Sequence, residues 1–109
     1  MIRYGDEFAR ELKFVGFSPS IERRDGQWVD VELRFETEAS TPIPTDLIDL
    51  TGLIVCTHEG HPIQMIPLDE GCDCEYQFTV GEKEQIEAYV RSEPVLAAIR
   101  RAVQSGSDA

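Results

Sequence analysis

Residues 15–35 read VGFSPSIERRDGQWVDVELRF, and the apolar spacing on either side of Arg24-Asp25-Gly26 decides the fold. With those three residues as the loop and Gly26 in the left-handed position of a bulged turn, Arg23 faces Gln27. The pairs then run Ile21 with Val29, Pro19 with Val31, Phe17 with Leu33 and Val15 with Phe35. All eight side chains share one face, which is the alternation of a half-buried antiparallel hairpin. A two-residue Asp25-Gly26 loop would set them against Glu22, Ser20 and Ser18, and is rejected. Pro19 has no N–H for a ladder, so the first strand reads as an edge or bulged strand.

Working outward, residues 39–51 form a connector in which Pro42 and Pro44 flank Ile43, and Thr45 or Asp46 caps a turn carrying Leu47 and Leu50. Residues 52–68, GLIVCTHEGHPIQMIPL, read as a second hairpin with Glu59-Gly60 as a tight two-residue turn. A third short strand, Cys74 to Thr79, follows the turn at Asp69-Glu70-Gly71. The period then becomes helical. Ile86, Tyr89 and Val90 define one helix with Glu82 and Glu84 in its first turn. Pro94 ends that pattern, Ser92 is placed to cap a second helix, and Gly106 to stop it. Its apolar stripe is Val95, Leu96, Ile99, Ala102 and Val103. Residues 6–12, with Phe8 and Leu12, suggest a short N-terminal helix. Strands first and helices last give an α+β class: an antiparallel sheet of about five strands with one or two C-terminal helices on one face. Residues 1–104 are read as one such domain and 105–109 as a frayed tail.

The chain has 109 residues, with 10 Lys+Arg against 21 Asp+Glu and a formal net charge of −11. Direct nucleic-acid binding is excluded by that balance, because such affinity comes mostly from Lys and Arg neutralising phosphates. Anionic membrane surfaces would repel the chain as well, and no apolar run, Leu53 to Cys56 included, is long enough to span a bilayer. Three cysteines and an N-terminal stretch carrying Asp6 and Glu7 fit a reducing, cytoplasmic setting.

The charge is concentrated in one segment. Residues 25–90 hold fifteen acidic side chains and only Arg34 and Lys83 as basic ones, whereas residues 1–24 and 91–109 each carry +1. On the hairpin register, Asp30, Glu32, Glu36 and Glu38 project from the face opposite the core. Same-face neighbours on a strand lie about 6.6–6.8 Å apart, the order of the phosphate spacing along one nucleic-acid strand. These four carboxylates, with Trp28 as an aromatic anchor, therefore form the expected contact surface for a basic protein partner. The corresponding reading is a non-enzymatic inhibitor, immunity-type partner or assembly component, with nucleic-acid mimicry as its sharpest form. A solvated, solubilising face is the plainer alternative.

A second cluster bears on metals. Cys56, His58, His61, Cys72 and Cys74 fall within nineteen residues, and a Glu59-Gly60 turn would set the two histidines opposite each other with Cys56 on the same face. Zinc takes four nitrogen and sulfur ligands tetrahedrally, so a small zinc-stabilised domain is the alternative reading. The spacing lacks a C-x2-4-C knuckle, and His58-Glu59-Gly60-His61 is one residue short of H-E-x-x-H. A thiol enzyme built on Cys56 with His58 or His61 is a weaker alternative. No P-loop, G-x-S-x-G or dinucleotide fingerprint is present, and neither catalysis nor a cofactor is expected.

Overall fold

The strand at the centre of the hairpin signal, β3 (Trp28–Thr37), alternates as its sequence dictates: Val29, Val31 and Leu33 are fully buried while Glu32, Arg34 and Glu36 are exposed. The computed structural model describes residues 1–5 and 10–107. Around β3 lie β2 (Phe14–Arg23), β4 (Leu50–Thr57), β5 (Pro62–Asp69) and β6 (Cys72–Asp73), in the antiparallel order β2-β3-β4-β5-β6. A separate two-stranded sheet pairs β1 (Ile2–Arg3) with β7 (Tyr76–Gln77), and α1 (Val80–Val90) and α2 (Glu93–Ser107) follow. The class is α+β, with both helices packed on one face of the five-stranded sheet. There Ile86, Val90, Val95 and Ile99 share a core with Val29, Val31, Leu33, Ile54 and Cys56.

Several local expectations are corrected. The first hairpin pairs Arg23 with Val29, Ile21 with Val31, Pro19 with Leu33 and Phe17 with Phe35, two residues away from the expected register. The loop is residues 24–27, organised by the Asp25 carboxylate, which accepts from the backbone N–H groups of Gln27 and Trp28, each at 2.8 Å. Side-chain capping does there what a left-handed Gly26 was expected to do, and Gly26 does not take a positive φ. An even shift leaves every residue on its own face, so the buried set survives. Val15 does not. A bulge between Phe14 and Gly16 turns Val15 out to solvent, 61% exposed, and brings Phe14 inward. Phe14 then stacks on Phe35 at 4.6 Å, and Phe17 stacks on Tyr89 of α1 at 4.4 Å. The larger aromatic surface gained explains why the chain accepts the irregularity.

The second hairpin has a three-residue loop, His58–Gly60, in place of a Glu59-Gly60 turn. Gly60 N–H donates to Thr57 O, Thr57 N–H to His61 O, and Gly60 has φ +84°. This is a turn closed by a left-handed glycine bulge. Glu70 and Gly71, both at positive φ, form the tight two-residue turn, joining Asp69 to Cys72. The expected strand Cys74–Thr79 is split: β6 ends at Asp73, and Tyr76–Gln77 leaves to pair with Ile2–Arg3.

Of the expected N-terminal helix 6–12, residues 6–9 lie outside the described residues and residues 10–12 are not helical. Leu12 N–H donates to Glu82 and Lys13 N–H to Thr41 Oγ1, so neither is free for a helical turn. Ser92 does not cap α2 with its side chain, because its hydroxyl donates back to Tyr89 O at 2.6 Å. Residues 105–107, expected in the tail, extend α2 one residue past Gly106. No helix among the described residues is long and apolar enough to cross a bilayer.

Glu82 stands in the first turn of α1, as the sequence predicts, and it is fully buried there. It completes a capping box with Thr79, accepts from Leu12 N–H at 2.7 Å and pairs with the Met1 ammonium group. Glu82→Ala removes all three interactions, so it should lower unfolding free energy by about 3–5 kcal/mol, the scale of a broken buried pair. In urea melts this appears as a lower midpoint at unchanged m, with exposed Glu84→Ala within about 0.5 kcal/mol of the parent. Equal midpoints for the two variants would show that Glu82 does not hold these segments.

Candidate functional site

The sheet face turned away from the helices is the surface the sequence pointed to. Strand parity puts Ser18, Ser20 and Glu22 of β2, and Trp28, Asp30, Glu32, Arg34 and Glu36 of β3, on this face. It also carries Thr51, Leu53, Val55 and Thr57 of β4 and Gln64, Ile66 and Leu68 of β5. One half is acidic and the other apolar. The second half was missed, although the unbroken run Leu53–Cys56 signals a strand buried on both sides, which β4 is. Val55 is 6% exposed even though no helix covers it, while Leu53, Ile66 and Leu68 are half-buried.

The acidic half is partly neutralised. Arg24 pairs with Asp30, its Nε donating to Oδ2 at 3.0 Å and Nη2 lying 2.8 Å from Oδ1 as an ion-pair contact, so this rung is not a free charge. Glu38 lies just past β3 and pairs with Lys13 at 3.6 Å. Arg34 stands between Glu32 and Glu36, where the same period-2 count that found the acids would have placed it. Its guanidinium is held by Asp49 through two hydrogen bonds, at 2.6 and 3.3 Å, which raise the Arg34 pKa and lower that of Asp49. Glu22, Glu32 and Glu36 carry no ion pair among the described residues. Trp28 is half-buried where β3 begins, paired with Thr57. The two hairpin tips meet beside it, with His58 Nε2 at 3.0 Å from Asp25 O.

The edges of the sheet are less available than its face. Edge strand β2 carries Pro19, and β5, paired with β6 only at Leu68 and Asp69, carries Pro62 and Pro67. Each proline removes a donor from the rim, which discourages strand addition.

The five metal-ligand candidates are not brought together. Cys56 is fully buried against the helices, His58 sits in the loop against Asp25, and His61 is exposed. Cys72 pairs with Asp69, whose partner is Leu50, six residues along β4 from Cys56. Six residues of strand separate the two halves of the cluster by roughly 20 Å. No group of three or more His, Cys, Asp or Glu among the described residues is arranged to hold a metal ion. Burial pushes the Cys56 thiol up to about 11, the opposite of what an activated nucleophile needs. No family model, curated protein or solved structure matches this chain.

Two carboxylates give this surface a pH signature. Hydrogen bonds from Gln27 and Trp28 lower the Asp25 pKa, and the Arg34 hydrogen bond lowers that of Asp49. A folded-state pKa below the unfolded one contributes stability above the ordinary carboxylate range, and this is lost as pH falls through the lower folded value. In an NMR titration, both carboxyls should therefore have midpoints below about 3.9. Arg34→Gln should return Asp49 toward that value and leave Asp25 where it was. An ordinary midpoint for Asp49 in the parent would contradict the ion pair.

Proposed function

We propose that this chain is a non-enzymatic binding protein whose helix-free sheet face docks on a basic protein surface, as an inhibitor, immunity-type partner or assembly component. The observation that carries this reading is the co-location of unpaired Glu22, Glu32 and Glu36 with half-buried Trp28 and the apolar side chains of Leu53, Ile66 and Leu68. Interfaces draw their energy from an aromatic and apolar centre and their steering from a charged surround, and this face offers both. The contacts stand on paired strands, so little ordering cost is added on binding.

Charge selects the class of partner. At −11, two copies of this chain repel, which disfavours self-association through the acidic half. Arg34 breaks the phosphate-like series after Glu32, which favours a basic protein with an apolar patch over a groove built for a nucleic-acid strand. Three free thiols, Cys56, Cys72 and Cys74, suit a cytoplasmic setting.

For a partner captured from the source lysate, affinity should fall at least about tenfold between low and high salt. Glu32→Lys with Glu36→Lys should slow association, while Trp28→Ala should cost about 2 kcal/mol, mainly in dissociation rate. Glu84→Lys, on α1, should leave binding unchanged. Salt-insensitive binding, or loss of binding from α1 variants alone, would overturn the reading.

A further inference from the structure

Of the three thiols, two lie together at the end of the sheet farthest from Cys56. The two-residue turn Glu70-Gly71 delivers Cys72 opposite Asp69 with its side chain exposed, and Cys74 follows just beyond the end of β6. Cys74 is half-buried, with Sγ 3.5 Å from the Pro67 carbonyl. Both line one cleft of about 330 Å³ together with Asp69, Asp73, Glu75 and Arg3. In extended chain, residues two apart share a face and are about 6.6–6.8 Å apart, the upper end of the Cα range that a disulfide spans. Residue 74 is already outside the strand, so the small shortening required costs only the two pairings that hold β6 to β5.

We propose that Cys72 and Cys74 are a reactive dithiol that reduces small cationic disulfides and closes an internal Cys72–Cys74 bond. Cys72, the exposed member, loses its proton to solvent, and its thiolate attacks one sulfur of the substrate disulfide. The substrate S–S bond breaks, and the leaving thiolate takes a proton from water. Cys74 then gives up its contact with Pro67 O, loses its proton and attacks Cys72 Sγ, expelling the second substrate thiol. The protein dithiol is oxidised by two electrons, and one disulfide becomes two thiols.

The charge class follows from the cleft. Four carboxylates, Asp46, Asp69, Asp73 and Glu75, line the cleft against Arg3 as its one cationic side chain, so its net negative charge repels an anionic disulfide and attracts a cationic one. The product bond is exposed and spans a short, tight segment, so it is of the easily reduced kind. Cys56 does not compete: it is buried, and its thiol is held protonated.

The test uses the reduced full chain with cystamine as the cationic probe and oxidised glutathione as the anionic one. Cystamine should remove two hydrogens, about 2 Da, from the intact mass and leave one alkylatable thiol after denaturation. Cys74→Ser should stop at a stable cystamine adduct on Cys72, and Cys72→Ser should react about tenfold more slowly. At low salt, glutathione disulfide should react about tenfold more slowly than cystamine, a gap that closes as salt is raised. A stable adduct on the parent, disulfide-linked dimers, or an unchanged rate in Cys72→Ser would overturn the proposal. Equal rates for the two probes would overturn its charge selectivity.

Discussion

A carboxylate without water must be matched by donors, and the buried Glu82 is matched from three directions at once. Its own helix start supplies the Thr79 N–H, the segment before β2 supplies Leu12 N–H, and the N-terminal residue supplies an ammonium group. One turn further along α1, Gln85 accepts from Phe14 N–H and donates to Leu12 O, each at 2.9 Å. Two polar side chains three residues apart thus stitch α1 to residues 12–14. That fixes which aromatic enters the core. With Phe14 held inward, Val15 becomes the extra residue of a bulge, and Phe14, Phe17, Phe35 and Tyr89 stack into the layer between sheet and helices. One sheet face is sealed as a result, and the other is left open for contact.

The acidic residues divide by what they do. Glu82 organises the core edge, and Asp25 shapes the first hairpin loop. Asp69 accepts the N–H groups of Ile48 and Asp49 where the connector enters β4, and Asp49 holds Arg34. A carboxylate accepting backbone donors or an arginine fork is part of the fold, and its charge is largely spent internally. The segment that looked like a run of free charge is thus in good part a set of local clamps. The carboxylates of the sheet face left without an ion pair among the described residues are the smaller group Glu22, Glu32 and Glu36.

How much was legible follows the same physics. Period-2 alternation in residues 28–35 determined the buried face of β3, and it survived a wrong register because the error was two residues, an even number. Turn chemistry was harder. Both hairpins carry a glycine at the tip, yet only Gly60 takes a positive φ, while in the first loop the Asp25 side chain supplies the closure. The bulge at Val15 was invisible locally because its cause lies seventy residues away, in Gln85 and Tyr89. The Cys/His cluster failed for a different reason. Sequence proximity across two turns of a meander does not mean proximity in the sheet, since Cys56 on β4 and Cys72 on β6 sit near opposite ends of the sheet with β5 between them.

A sheet face without helices is ordinarily polar, because antiparallel sheets that meet water on one side alternate apolar-in and polar-out. Here β3 obeys that rule and β4 breaks it, setting Leu53 and Val55 beside Asp30 and Glu32. A half-buried apolar strip that no helix covers invites association, and the surroundings of this one restrict what can associate. Prolines on β2 and on the stretch of β5 that β6 leaves unpaired oppose strand addition, and the acidic half opposes a second copy of the same chain. A basic surface with an apolar patch of its own meets neither obstacle, because its charges relieve the crowding of Glu22, Glu32 and Glu36 while its apolar side chains cover Leu53, Ile66 and Leu68. The features that oppose self-association are therefore the same ones that would select the proposed basic partner.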